Sequence, residues 1–153
     1  MHRKRLRTIL RFLLEGSVRS RPKTSLKTSK NRGRQQYLAH KEAARDFVDL
    51  KLKTLNMYYG FSYGRVAIRD QQSRWGSCSK KGNLNFNYRL LYLPEPLADL
   101  VIVHELCHLK EFNHSADFWK LVAETIPDFE IRRKALSRVS PLIMGGAIRA
   151  IPL

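Results

Sequence analysis

The sequence predicts an α+β domain, on three observations. Apolar residues recur at helical spacing after Gln35. Two later segments alternate apolar and polar residues. A further stretch, apolar on nearly every side, carries His and Glu at helical spacing. In the first of these, Ala44, Phe47, Val48, Leu52 and Leu55 fall at i, i+3, i+4, i+8 and i+11, while Lys41, Glu42, Arg45, Asp46 and Asp49 lie largely elsewhere. This is a helix with one buried stripe, ending around Tyr59-Gly60. The period then changes. Val66 and Ile68 alternate with Ala67 and Arg69, and "SKKGN" (79–83) reads as a turn. "NLNFNYRLLYL" puts Leu84, Phe86, Tyr88 and Leu90 on one face, with Asn85, Asn87 and Arg89 on the other. These segments predict a β-hairpin or two strands of a small antiparallel sheet. "PEP" (94–96) closes the strand, and Pro96 suits the first turn of the helix that carries "HELCH". Two more helices come after it, at about 115–126 and about 128–139; Asp128 can cap the second, which should bury Ile131, Ala135 and Leu136.

A chain of 153 residues fits one domain with a modest core. No apolar run approaches the roughly 20 residues of a membrane helix. Two cysteines, Cys78 and Cys107, make no disulfide framework, which favours a reducing, cytoplasmic setting. The net charge of +16 is unevenly placed: residues 1–34 hold 12 of the 29 Lys and Arg but one of the 13 acids, Glu15. The chain therefore divides into a basic arm (1–34), a domain (35–140) and an apolar tail (141–153). Within the arm, Leu6, Ile9, Leu10, Leu13 and Leu14 predict a short amphipathic helix at about 5–15, and the segment 17–34 reads as a flexible linker. Phosphate contacts from such an arm suit non-specific, salt-dependent binding to nucleic acid. Against that, the arm lacks interleaved aromatics for base stacking, and a solvated basic tail fits the same residues.

The chemistry lies in "HELCHLKEFNHSADFW" (104–119). His104 and His108, four apart on a helix, project from one face and can reach a single Zn²⁺. Glu105 lies about 100° around the axis, placed for a metal-bound water rather than for the metal. A catalytic zinc takes three protein ligands and leaves one position open. "KEFN" can end the helix, with Asn113 suited to a left-handed turn, and His114 then returns as third ligand. Glu111 competes with it from the helix end. Burial strengthens the reading, because Val101, Ile102, Val103, Leu106 and Leu109 surround polar groups that are costly to desolvate unless a metal joins them. The alternative is a pair of core histidines bonded to backbone acceptors. Cys107, inside the helix, reads as a packing thiol. One zinc per chain would activate a water whose proton Glu105 accepts, a chemistry suited to a peptide carbonyl and also to a phosphoanhydride.

The blocks "RWGSCS", "LNFNYRLLYLP", "HELCHLKEFNH" and "HSADFW" closely resemble the YgjP-like metallopeptidase domain, related to the SprT-like zinc proteases, over about Gln35 to Ser140. The resemblance implies a compact zincin core of the minigluzincin kind: a backing helix, a small sheet, the metal helix, then a helix after the third ligand. By position it implies His104, His108 and His114 as metal ligands and Glu105 as catalytic base. It also implies a sheet-edge strand that holds an extended substrate. "NLNFN" is the candidate, with Asn85 and Asn87 as substrate-binding residues. Arg74 of "RWGSCS" has two readings: it holds a substrate carboxylate or phosphate or an oxyanion, or it pairs with an acid while Trp75 fills the core. Longer members carry a β-rich segment before the backing helix that residues 1–34 do not match.

The function these residues support is a zinc-dependent peptidase acting on a peptide or protein substrate. Two alternatives remain open: a zinc-dependent nucleoside-triphosphate pyrophosphatase, and a nucleic-acid-associated protein with a zinc site.

Overall fold

Helix α1 (Leu26–Tyr59) is the longest element of the computed structural model, which describes residues 26–144, with side chains from residue 31 onward. The chain divides into two units at Gln35/Gln36, and everything that builds the site belongs to the second. The helix starts earlier than the apolar stripe predicts, so residues 26–34 are helical rather than an irregular linker. The helix expected at 5–15 and the tail after 144 lie outside the described residues. The stripe itself behaves as expected, with Ala44, Val48 and Leu52 fully buried and Phe47 and Leu55 packed at the core's edge. Gly60, at φ +63°, closes α1 in the left-handed conformation, its amide bonded to the Asn56 carbonyl at 2.8 Å. Two tyrosines tie α1 to later elements. The Tyr37 hydroxyl donates to the Ile68 carbonyl (2.9 Å), and the Tyr59 hydroxyl to that of Leu121 (3.0 Å).

The sheet has three strands, β1 (Val66–Arg69), β2 (Gly76–Cys78) and β3 (Leu84–Asn87), in the order β1-β3-β2. It is mixed. β1 runs parallel to β3, with Ile68 opposite Phe86, and β2 runs antiparallel, with Ser77 opposite Asn85. The expected antiparallel pairing of the two alternating segments is therefore corrected. Alternation fixes which residues face the core, but it carries no information on strand direction. The antiparallel partner is "GSC", joined to β3 by the predicted 79–83 turn, in which the Gly82 amide bonds the Ser79 carbonyl (2.8 Å). β3 is also shorter than expected. After Asn87 the chain winds into a 3₁₀ turn (Tyr88–Tyr92), with Tyr88 and Leu90 still fully buried.

Helix α2 (Glu95–Cys107) starts with Pro96 in its first turn and is buried along nearly its whole length from Leu97. It packs against β2, α3 (Ala116–Ala123) and α4 (Phe129–Met144). Ser115 caps α3 through the Phe118 amide. In α4, Leu136 is buried and Ala135 partly so, but Ile131 is 71% exposed, against expectation. The helix continues past 139 to Met144, which is buried. The first residues of the apolar tail are thus its last turn. Trp75 fills the core, as one reading of "RWGSCS" has it, and its indole N–H donates to the buried Ser140 hydroxyl at 2.7 Å. No helix of the described residues is long and apolar enough to cross a membrane.

Candidate active site

α2 ends at Cys107 with His108 as its C-cap. The Leu109 and Lys110 amides then reach back to the Leu106 and Cys107 carbonyls (3.0 and 3.1 Å), which makes a tight turn. Within it the Glu111 carbonyl lies 2.9 Å from His108 Nδ1. A proton on Nδ1 satisfies that carbonyl and leaves the Nε2 lone pair free. Phe112 and Asn113 carry the chain to His114, just before Ser115 caps α3. The loop is short because both ends are hydrogen-bonded, and it swings His114 back over the helix face that carries His104 and His108.

The three Nε2 atoms form a triangle: 3.0 Å from His104 to His108, 3.1 Å from His108 to His114, and 3.0 Å from His114 to His104. Among the described residues these three are the only side chains grouped closely enough to hold a metal ion. Burial lowers the pKa of all three, most of all in His104, where the neighbouring His108, His114 and Arg133 add to it. The site therefore favours neutral imidazoles. Converging lone pairs at this separation repel unless a cation lies among them, so the residues fit a divalent metal and the neutral-imidazole chemistry of zinc. Glu111 contributes its backbone carbonyl rather than its carboxylate. Cys107 is buried, its thiol pushed up to about 12 by burial, and it lies outside the ligand group. Cys78 is pushed up to about 11, first by burial and then by the charge of Glu105.

Glu105 is buried, and its Oε2 has no hydrogen-bond partner. Burial raises its pKa to about 8, opposed by the charge of Arg74. The carboxylate lies against β2. A Cβ added to Gly76 would stand 2.7 Å from both Cγ and Oε1 of Glu105. The bare glycine thus lets a strand approach the carboxylate, a role the sequence reading did not assign to it; the signal was a lone Gly within a strand, which marks close approach. Phe118 was also undervalued as plain core. Its ring stacks on His108 (4.6 Å between centroids) and meets His104 and His114 edge-on (4.9 Å each), forming the floor under all three imidazoles. Trp119 braces His104 and His114 at about 6 Å and stacks on Phe129 at 5.0 Å.

The substrate candidates fare differently. Arg74 is exposed and makes no side-chain hydrogen bond or salt bridge among the described residues; the acid its charge reaches is Glu105. Asn85 bonds the Ser77 hydroxyl across the strands (3.3 Å) on the sheet face away from the core. Asn87 is fully buried; its amide donates to the Gln71 and Arg74 carbonyls (2.6 and 3.1 Å), while its Oδ1 accepts from the Arg89 amide (3.1 Å). It pins the crossover between β1 and β2 and is out of a substrate's reach. β3 itself is paired on both sides, so "NLNFN" is no sheet edge. Asn87→Ala is expected to destabilise the fold by about 2 kcal/mol, through loss of its part-buried bonds to the Gln71 and Arg74 carbonyls. A denaturant midpoint equal to wild type would show that the latch does not matter.

The sequence profile of the YgjP-like metallopeptidase domain matches residues 9–139. A comparison with curated proteins finds no match. Among solved structures, the fold is similar to the metallopeptidase zymogen abylysin of Pyrococcus abyssi, with a TM-score of 0.56 and 24% identity over 67% of this chain and 99% of that one. The metallopeptidase zymogen jannalysin of Methanocaldococcus jannaschii is more distant, with a TM-score of 0.46 and 24% identity over 63% of this chain and 96% of that one. The match runs from the arm through the sheet, the three histidines and most of α4, and by it this chain belongs to the YgjP-like metallopeptidase domain family.

Proposed function

We propose that the protein is a zinc-dependent peptidase in which His104, His108 and His114 hold the metal and Glu105 is the general base. One observation carries the reading: three imidazoles converge at about 3 Å at the end of the helix that also carries a buried carboxylate whose Oε2 has no partner. When bound, the metal supplies positive charge that polarises a carbonyl and acidifies water. The chain's own residues do the rest. The Glu111 carbonyl orients His108, and Phe118 holds the three rings in place. Burial alone favours the protonated acid of Glu105, whereas a bound cation nearby would favour the carboxylate, which takes a proton from the attacking water and returns it to the leaving amine.

The strand that receives substrate in this reading is β2, which replaces β3 in the role expected of a sheet edge. Trp75 and Ser79 bond β3 through their backbones, so by the antiparallel alternation Gly76 and Cys78 turn their N–H and C=O groups to the open edge. An extended peptide added there lies beside Glu105, with Arg74 at the start of the edge.

Metal removal tests the proposal. Dialysis against a zinc chelator is expected to abolish cleavage of an unfolded protein substrate, and stoichiometric zinc to restore it. Hydrolysis of nucleoside triphosphates without peptide cleavage would overturn the peptidase reading in favour of the phosphoanhydride alternative.

A further inference from the structure

The sheet and its loops carry a one-sided charge that the cleavage chemistry does not need. Residues 60–94 contain six Lys and Arg and a single acid, Asp70. Asp70 is already held by Arg89 at 2.6 Å. The side chains of Arg65, Arg69, Arg74, Lys80 and Lys81 are all exposed and make no salt bridge among the described residues.

Three of these cations bracket the open edge. Arg74 lies two residues before β2, and its charge is felt at Glu105. Lys80 and Lys81 sit in the turn after β2. That turn packs on the far end of the metal helix: a Cβ on Gly82 would meet Leu109 Cδ2 at 3.6 Å, one residue after His108. Arg74 and Lys80 are six residues apart with the three-residue strand between them, so a peptide of about six residues laid along the edge meets a cation towards each end. The acids of the other wall, Glu111 and Asp117, belong to the loop and helix that carry His114. Asp117 is engaged by Lys120 at 3.0 Å.

We propose that the open edge of β2 selects substrate segments with acidic side chains, through Arg74 at one end and Lys80 and Lys81 at the other. The proposal rests on the peptidase reading for its substrate class, but its selectivity can be read without turnover. Opposite charges that meet at a partly exposed rim attract modestly one by one, add across three sites, and weaken with salt. Their larger effect is to reject segments that carry Lys or Arg at the same positions.

The test uses the full chain carrying Glu105→Gln, loaded with zinc. The probes are two fluorescent ten-residue peptides that differ only in Glu against Gln at both ends of the central six residues. The acidic peptide is expected to bind about tenfold more tightly at low salt. That preference should fall below about threefold when Arg74→Gln, Lys80→Gln and Lys81→Gln are added, and likewise in high salt. Equal binding of the two peptides, or a preference that survives the three substitutions, overturns the proposal. So does displacement of the acidic peptide by a single-stranded oligonucleotide at lower concentration than by the unlabelled peptide, which would assign the cations to nucleic acid. Wild-type cleavage is scored separately. Cleavage of both peptides at equal kcat/KM overturns the acidic selection and leaves the peptidase reading standing. Cleavage of neither, with the binding preference intact, supports the selection and removes the peptidase reading alone.

Discussion

Glu105→Gln is expected to lower peptide hydrolysis by about a thousandfold while leaving the fold and the zinc content unchanged. The amide has the size of the carboxylate, so the contacts with Gly76 and the α2 packing persist. It cannot accept a proton from water at neutral pH, and the reaction loses its base. None of the three imidazoles bonds Glu105, so the metal site has no reason to weaken. Stability should not fall either. Glu105 is buried with Oε2 unpartnered, burial already favours its neutral form, and the amide matches that form in size and charge. The measurements are kcat/KM, zinc per chain and a thermal melt. A variant that retains more than about a tenth of wild-type activity would remove Glu105 from the base role.

Gly76→Ala is the second large effect. Its added methyl would stand 2.7 Å from Glu105 Cγ and Oε1 and 2.9 Å from Cδ, inside any tolerated contact. Glu105 is buried, so either its carboxylate turns or β2 lifts from α2. A displaced base by itself costs about a hundredfold in rate. Lifting the strand costs about 1–3 kcal/mol of stability as well. None of the three imidazoles bonds Glu105, so zinc content should stay at the wild-type level. Lost activity with retained zinc therefore separates the approach of β2 from metal binding. Wild-type activity in the variant would mean that the close contact has no bearing on the base.

The metal site was legible in the sequence because its physics is local. His104 and His108 share a helix face by the period of the helix, and the return of His114 needs only one short turn with a cap at Ser115. The stripe of Ala44, Val48 and Leu52 was legible for the same reason. Strand direction was not, since Val66, Ile68, Leu84 and Phe86 alternate identically in parallel and antiparallel pairs. "GSC" was too short to present a period at all, so the edge strand β2 went unread as a strand. That error moved the substrate role onto "NLNFN" and turned Asn87, an internal latch, into a contact residue. Ile131 was misplaced because the buried stripe runs through Leu136, Ser140 and Met144, and Ile131, five residues before Leu136, lies about 140° around the helix from it. Gly76 and Phe118 act through contacts with residues far off in the chain, Glu105 and the three rings, which no spacing rule encodes.

Zinc per chain, measured on wild type and on His114→Ala purified without chelator, tests the account most directly. The account predicts about one zinc in the wild type and a loss of at least tenfold in occupancy at limiting zinc in the variant, because two imidazoles alone leave the site short of a third ligand. Wild-type protein without zinc, or His114→Ala protein that binds it as tightly as wild type, would contradict it.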